Sequence, residues 1–163
     1  MKKTIQFFTI VLILTLSLDT FAQTEKYDPH ADAMDDIQTA IQTASKEGKH
    51  VFVKVGGNWC GWCKRYAQFT HEDAEISKLM TDNYVKVLVN WSNDNKNPKT
   101  MEYLGFPQRF GYPVFVILNA QGSVLHIQNS AYLESGKGYD KQKIMSFLQG
   151  WTAKAVNPAS YQK

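Results

Sequence analysis

Two cysteines occur in this 163-residue chain, and both lie in the segment Trp59-Cys60-Gly61-Trp62-Cys63. A Cys-x-x-Cys pair can close into a disulfide and reopen. With no third cysteine, neither sulfur has another partner within the chain. The chemistry that spacing allows is thiol–disulfide exchange. A thiolate attacks a disulfide sulfur, and a second thiol resolves the mixed disulfide. The order of attack follows from position. If a helix starts at the pair, Cys60 sits among free backbone N–H groups at the positive end of the helix dipole. That setting favours thiolate, the nucleophilic form. Cys60 is then the attacking residue, and Cys63, one turn on, the resolving one. Gly61 leaves room for a substrate chain, and Trp62 adds apolar surface beside the sulfur.

Other uses of two cysteines fit less well. A structural zinc site needs about four ligands, and His30, His50, His71 and His126 have no ligand-like spacing to the pair. A heme attachment motif needs histidine after the second cysteine, where Lys64 stands. No metal and no organic cofactor are expected. A permanently closed disulfide in a non-catalytic binding module is the rival from another class.

The elements that must position the pair can be read from periodicity. Val51 to Val55 is a β-branched run, expected as a central strand, and Gly56-Gly57-Asn58 turns it into the motif. Helices are expected over Cys60 to Phe69 and Asp73 to Met80. A first helix should begin at Asp28-Pro29 and end at Gly48. Tyr84 to Val89 and Pro113 to Leu118 read as strands, with a short helix at Lys99 to Leu104 between them. Asn119-Ala120-Gln121-Gly122 is a turn into a returning strand, Ser123 to Gln128. Asp140 caps a last helix with Ile144, Phe147, Leu148 and Trp151 on its apolar face. This order predicts an α/β fold, a mixed central sheet flanked by helices on both faces.

Lys2 and Lys3 precede an apolar run from Phe7 to Leu18, and Thr20-Phe21-Ala22 supplies small residues for a peptidase. The run is shorter than the ~20 residues of a membrane span. Residues 1–22 are expected to be a cleaved signal peptide, leaving a single domain over 23–163 in the periplasm or outside the cell. Disulfides form and persist there. The formal charge is +3, with scattered lysines and no basic stripe, so nucleic acid is not an expected partner. A monomer is expected.

The strings Val51-Phe52-Val53, Asn58-Trp59-Cys60-Gly61-Trp62-Cys63-Lys64 and Gly111-Tyr112-Pro113 resemble the thioredoxin superfamily, in particular its exported bacterial domains. The resemblance spans His50 to Trp151 and, more loosely, the first helix. It implies a thioredoxin fold and a cis Pro113 facing Cys60. It also implies that the Tyr112 backbone pairs with an extended substrate, with Trp59 flanking the site. The partners it implies are protein thiols or disulfides and a membrane-bound thiol electron donor, with a lean to the reductase direction. One departure stands out. Thioredoxin carries a buried acid six residues before the first cysteine, and Lys54 occupies that place here. Lys54 either biases the pair toward thiolate, which would make the disulfide more oxidising, or reaches solvent and does nothing catalytic.

Overall fold

The structure is a computed structural model that describes residues 25–162. The expected signal peptide, residues 1–22, lies outside the described residues. Helix α1 spans Ala33–Glu47 and leads to strand β1, His50–Gly56. Helices α2, Gly61–Glu72, and α3, Ala74–Asn83, follow before β2, Tyr84–Asn90. A short α4, Pro98–Tyr103, precedes β3, Val114–Leu118, and β4, Val124–Asn129. A two-residue hairpin, β5 at Glu134–Ser135 and β6 at Gly138–Tyr139, comes before α5, Lys141–Gly150.

The sheet order is β2-β1-β3-β4, with β1 parallel to β2 and antiparallel to β3. Strand β1 is therefore central, as its apolar run predicts, and all seven of its residues are buried. Alternation divides them between two layers. Val51, Val53 and Val55 pack with Ile37 and Ala44 of α1 and with Met101 of α4. Phe52 faces the other side, with Tyr66 of α2, Ile76 of α3 and Ile144 and Leu148 of α5. Helices thus cover both faces, and a strand covered on both faces can be apolar throughout.

The first helix starts later than expected. Its N-cap is Asp32, whose carboxylate accepts from the N–H groups of Met34 and Asp35. Asp28 instead accepts from the His30 N–H at 2.8 Å, a local turn that uses Pro29 outside the helix. The other end is as expected: Gly48 takes φ 66°, and its N–H bonds the Ala44 carbonyl. Asp73 joins two helices. It ends α2, and its carboxylate accepts from Glu75 and Ile76 at the start of α3. Among the described residues, no helix is long and apolar enough to cross a membrane.

Candidate functional site

Strand β1 ends at Gly56, and four residues separate it from the start of α2 at Gly61. The Cys60 N–H bonds the Gly57 carbonyl at 3.0 Å, closing the turn. Cys60 is the N-cap of α2, and its Sγ accepts from the Cys63 N–H at 3.1 Å. A sulfur thus takes the place usually held by a serine or aspartate oxygen. Cys60 and Cys63 are joined by a disulfide, with Cα atoms 5.2 Å apart. Val55 pairs with Val114, which brings the start of β3 beside the end of β1. The Tyr112–Pro113 peptide there is cis, as the resemblance implies.

An aromatic rim surrounds the pair. Trp59 is 58% exposed, and its Nε1 donates to the Trp91 carbonyl at 2.7 Å. Its ring stands edge-on to Tyr112 at 5.3 Å, and Tyr112 stacks on Trp91 at 5.9 Å. Trp62 meets Tyr139 edge-on at 5.5 Å, with the Arg65 guanidinium 4.9 Å from its ring centre. Cys60 itself is only 4% exposed. The open side lies at Gly61, where an added Cβ would meet nothing within 4 Å.

Lys54 does not reach solvent. It is 1% exposed, and its Nζ pairs with Glu25, which also pairs with Lys86 of β2. The same Nζ lies 5.4 Å from the Tyr27 ring centre and 5.8 Å from that of Tyr66. Burial pushes the Glu25 carboxyl up, but the charge and hydrogen bonds of the two lysines outweigh it and hold the pKa below its ordinary value. Burial lowers the Lys54 pKa, and Glu25 opposes that shift. Tyr27, whose ring lies beside the Lys54 Nζ, packs against Cys60 and Cys63. One side chain secures Tyr27 at both backbone groups. The Tyr27 N–H donates to Asn58 Oδ1 at 2.9 Å, and Asn58 Nδ2 donates to the Tyr27 carbonyl at 2.8 Å.

The structure brings together Trp59, Cys60, Gly61, Trp62, Cys63, Tyr112 and Pro113, with Lys54 connected to the cysteines through Tyr27. Phe106 and Phe110 are exposed in the segment before Gly111. His71 and Glu72 are exposed at the far end of α2, about 16–18 Å along its axis from Cys60 at about 1.5 Å per residue. Sequence reasoning missed Glu25 and Tyr27, and read Gly56 and Asn58 only as turn residues. For the first, a signal existed: a lysine inside an apolar central strand needs an anion.

Gly56 is needed for space. A Cβ there would lie 2.5 Å from Cys63 Sγ and 2.9 Å from the Tyr27 hydroxyl oxygen. Both atoms are buried and held, so neither can yield freely. Gly56→Ala should destabilise the oxidised protein by about 1–3 kcal/mol, the usual cost of overpacking. Urea unfolding would read this. A change below about 0.5 kcal/mol, the usual scatter of neutral substitutions, would mean the site relaxes around a methyl group.

A disulfide that caps a helix at the end of a central strand, on a four-stranded mixed sheet with helices on both faces, defines a thioredoxin-fold protein with a Cys-x-x-Cys site. The chain belongs to the thioredoxin-like family, whose model matches residues 32–120. A disulphide isomerase from Xylella fastidiosa Temecula1 shares the fold. It has a TM-score of 0.66 at 24% identity over 76% of this chain and 93% of that one. A thioredoxin from Thermus thermophilus gives 0.55 at 17% identity, over 82% and 91%. Among curated proteins, spermatogenesis-associated protein 20 of Rattus norvegicus is 36% identical over 52 residues, 32% of this chain and 7% of that protein. The thiol:disulfide interchange protein DsbD of Pseudoalteromonas atlantica is 23% identical over 92 residues, 55% of this chain and 14% of that protein. The match thus spans a small part of either relative's length. Glu25 and Tyr27 precede the family-matched segment.

Proposed function

We propose that the protein is a thiol–disulfide oxidoreductase that exchanges disulfides with exported proteins. The observation that carries the reading is the Cys60–Cys63 bond at the start of α2, with Cys60 Sγ accepting from a helix N–H. Such a donor stabilises a thiolate when the bond opens. Cys60 attacks and Cys63 resolves. Trp59, Gly61, Trp62, Tyr112 and Pro113 form the face that receives the substrate, with Lys54 tuning the pair. Pro113 has no N–H, which leaves the Tyr112 backbone as the pairing group for an extended chain.

In this reading residues 1–22 are removed on export, and residues 23–163 work as a monomer in the periplasm or outside the cell. The direction is reductive, with electrons from a membrane-bound thiol donor. The similarity to a segment of a thiol:disulfide interchange protein supports exchange chemistry.

The test is dithiothreitol-driven reduction of insulin. Wild type should accelerate it well above the reductant alone. No acceleration would leave the rival, a binding module with a structural disulfide. The reduction potential then reads direction: a value near about −270 mV fits a reductase, and one near about −120 mV an oxidant.

A further inference from the structure

We propose that the Tyr27 hydroxyl donates a hydrogen bond to the Cys63 sulfur when the disulfide opens, and so sets the balance between disulfide and dithiol. Its catalytic consequence rests on the oxidoreductase reading; its effect on the equilibrium does not.

Tyr27 is 3% exposed, and its hydroxyl makes no hydrogen bond among the described residues. A buried donor without a partner is costly and calls for an explanation. The hydroxyl oxygen and Cys63 Sγ lie 2.9 and 2.5 Å from one point, the place a Cβ on Gly56 would take. Beside them is a cavity of about 20 Å³ lined by Tyr27, Asn58, Cys63 and Lys64, among others. Opening the disulfide frees Cys63 Sγ to turn toward the hydroxyl. The Tyr27 backbone is fixed by Asn58, two residues before Cys60, so the hydroxyl is positioned by the same turn that positions the sulfur. Burial, with the Glu25 charge adding to it, pushes the phenol's pKa well above its ordinary value. The group therefore keeps its proton and has it to donate.

The disulfide form offers that donor only a weak acceptor. Opening the bond changes this. A donor thiolate attacks Cys60 Sγ, and the electron pair of the S–S bond leaves on Cys63 Sγ. Cys63 is now a buried thiolate, and a hydrogen bond to a charged acceptor is about twice as strong as one between neutral groups. The donor's second thiol then attacks its own sulfur in the mixed disulfide and releases Cys60. Two electrons have entered the pair, the donor leaves as a disulfide, and its two thiol protons pass to the cysteines or to water. Tyr27 keeps its proton throughout. A better-stabilised leaving thiolate leaves faster, so the same bond speeds opening.

The experiment is Tyr27→Phe, which keeps the ring and removes the donor. The disulfide–dithiol equilibrium is measured in glutathione buffers, with no substrate protein. Removing the hydroxyl relieves the unpartnered donor in the oxidised form and deprives the reduced form of its bond. Both effects favour the disulfide. The expected change is about tenfold toward it, or about 30 mV lower in potential. Unfolding midpoints of both redox forms close the same cycle. A packing role alone would move both midpoints together and leave the equilibrium within twofold of wild type, which would overturn the proposal. The outcome separates from that of the proposed function. A shifted equilibrium without insulin turnover would sink only the enzymatic reading, and turnover with an unshifted equilibrium would sink only this one.

Discussion

Cys60→Ser should bring insulin reduction down to the rate of the reductant alone, while Cys63→Ser should still attack once and then stall. The difference comes from what each sulfur does. Cys60 is the residue whose sulfur accepts from a helix N–H and which lies beside the open side at Gly61. A serine oxygen cannot form a stable bond to substrate sulfur, so no covalent intermediate is reached and the loss is complete rather than partial. Cys63 is buried against Tyr27 and Gly56. Without it the mixed disulfide at Cys60 forms but has no internal resolving thiol. Reduced Cys63→Ser, mixed with a disulfide-bonded protein, should give a covalent adduct that runs as a single band and disappears with dithiothreitol. Wild type should give little, because Cys63 resolves it. If Cys63→Ser gives no adduct and Cys60→Ser does, the two roles are exchanged.

The second large effect concerns the charges of Lys54 and Glu25. Glu25→Ala should destabilise the protein strongly, whereas Lys54→Met should be nearly neutral. Removing one partner of a fully buried pair costs about 3–5 kcal/mol, because the other charge is left without compensation. Glu25 keeps 20% of its side-chain surface exposed, so about 2–3 kcal/mol is expected here, after discounting for that exposure. Lys54 would be left with no carboxylate, between the aromatic rings of Tyr27 and Tyr66. Lys54→Met removes the costly charge itself, and Glu25 retains Lys86. Its change should lie within about 1 kcal/mol. Denaturant unfolding of the two variants decides the matter, and equal losses would refute the asymmetry. The pH dependence has a matching sign. The folded pKa of Glu25 is depressed, so its contribution is present above its unfolded value of about 4.3 and fades as pH falls through the folded one. Glu25→Ala should lose that acid-sensitive component.

Local signals were read well from the chain, and distant pairings were not. The Val51–Val55 run became the central strand because its valines and Phe52 suit a strand buried on both faces, with Lys54 as its polar interruption. Gly48 and Asp140 took their capping roles because caps are decided within a few residues. The start of α1 was misplaced because Asp28-Pro29 and Asp32 are both acceptable starts locally. The choice fell to Asp32, and the stretch before it instead runs past the site, where Asn58 holds Tyr27. The Glu134–Tyr139 pairing has no signature in the sequence, since two-residue strands carry too little alternation to register. Lys54 was recognised as odd, yet nothing near it in the chain names Glu25, which is 29 residues away.

That separation has a consequence for the order of folding. The Glu25–Tyr27 stretch reaches Lys54, Asn58 and Lys86 across 29, 31 and 61 residues. Each closure spends chain entropy before its contacts form, and longer loops spend more. Lys86 can serve Glu25 only after β1 and β2 have paired. The turn at Gly57 and the first turn of α2, by contrast, need only neighbouring residues. The two sulfurs should therefore meet early, in a nascent chain whose tyrosine and ion pairs have not yet docked. The protein would acquire its capacity for sulfur chemistry first and the setting that governs its redox poise last.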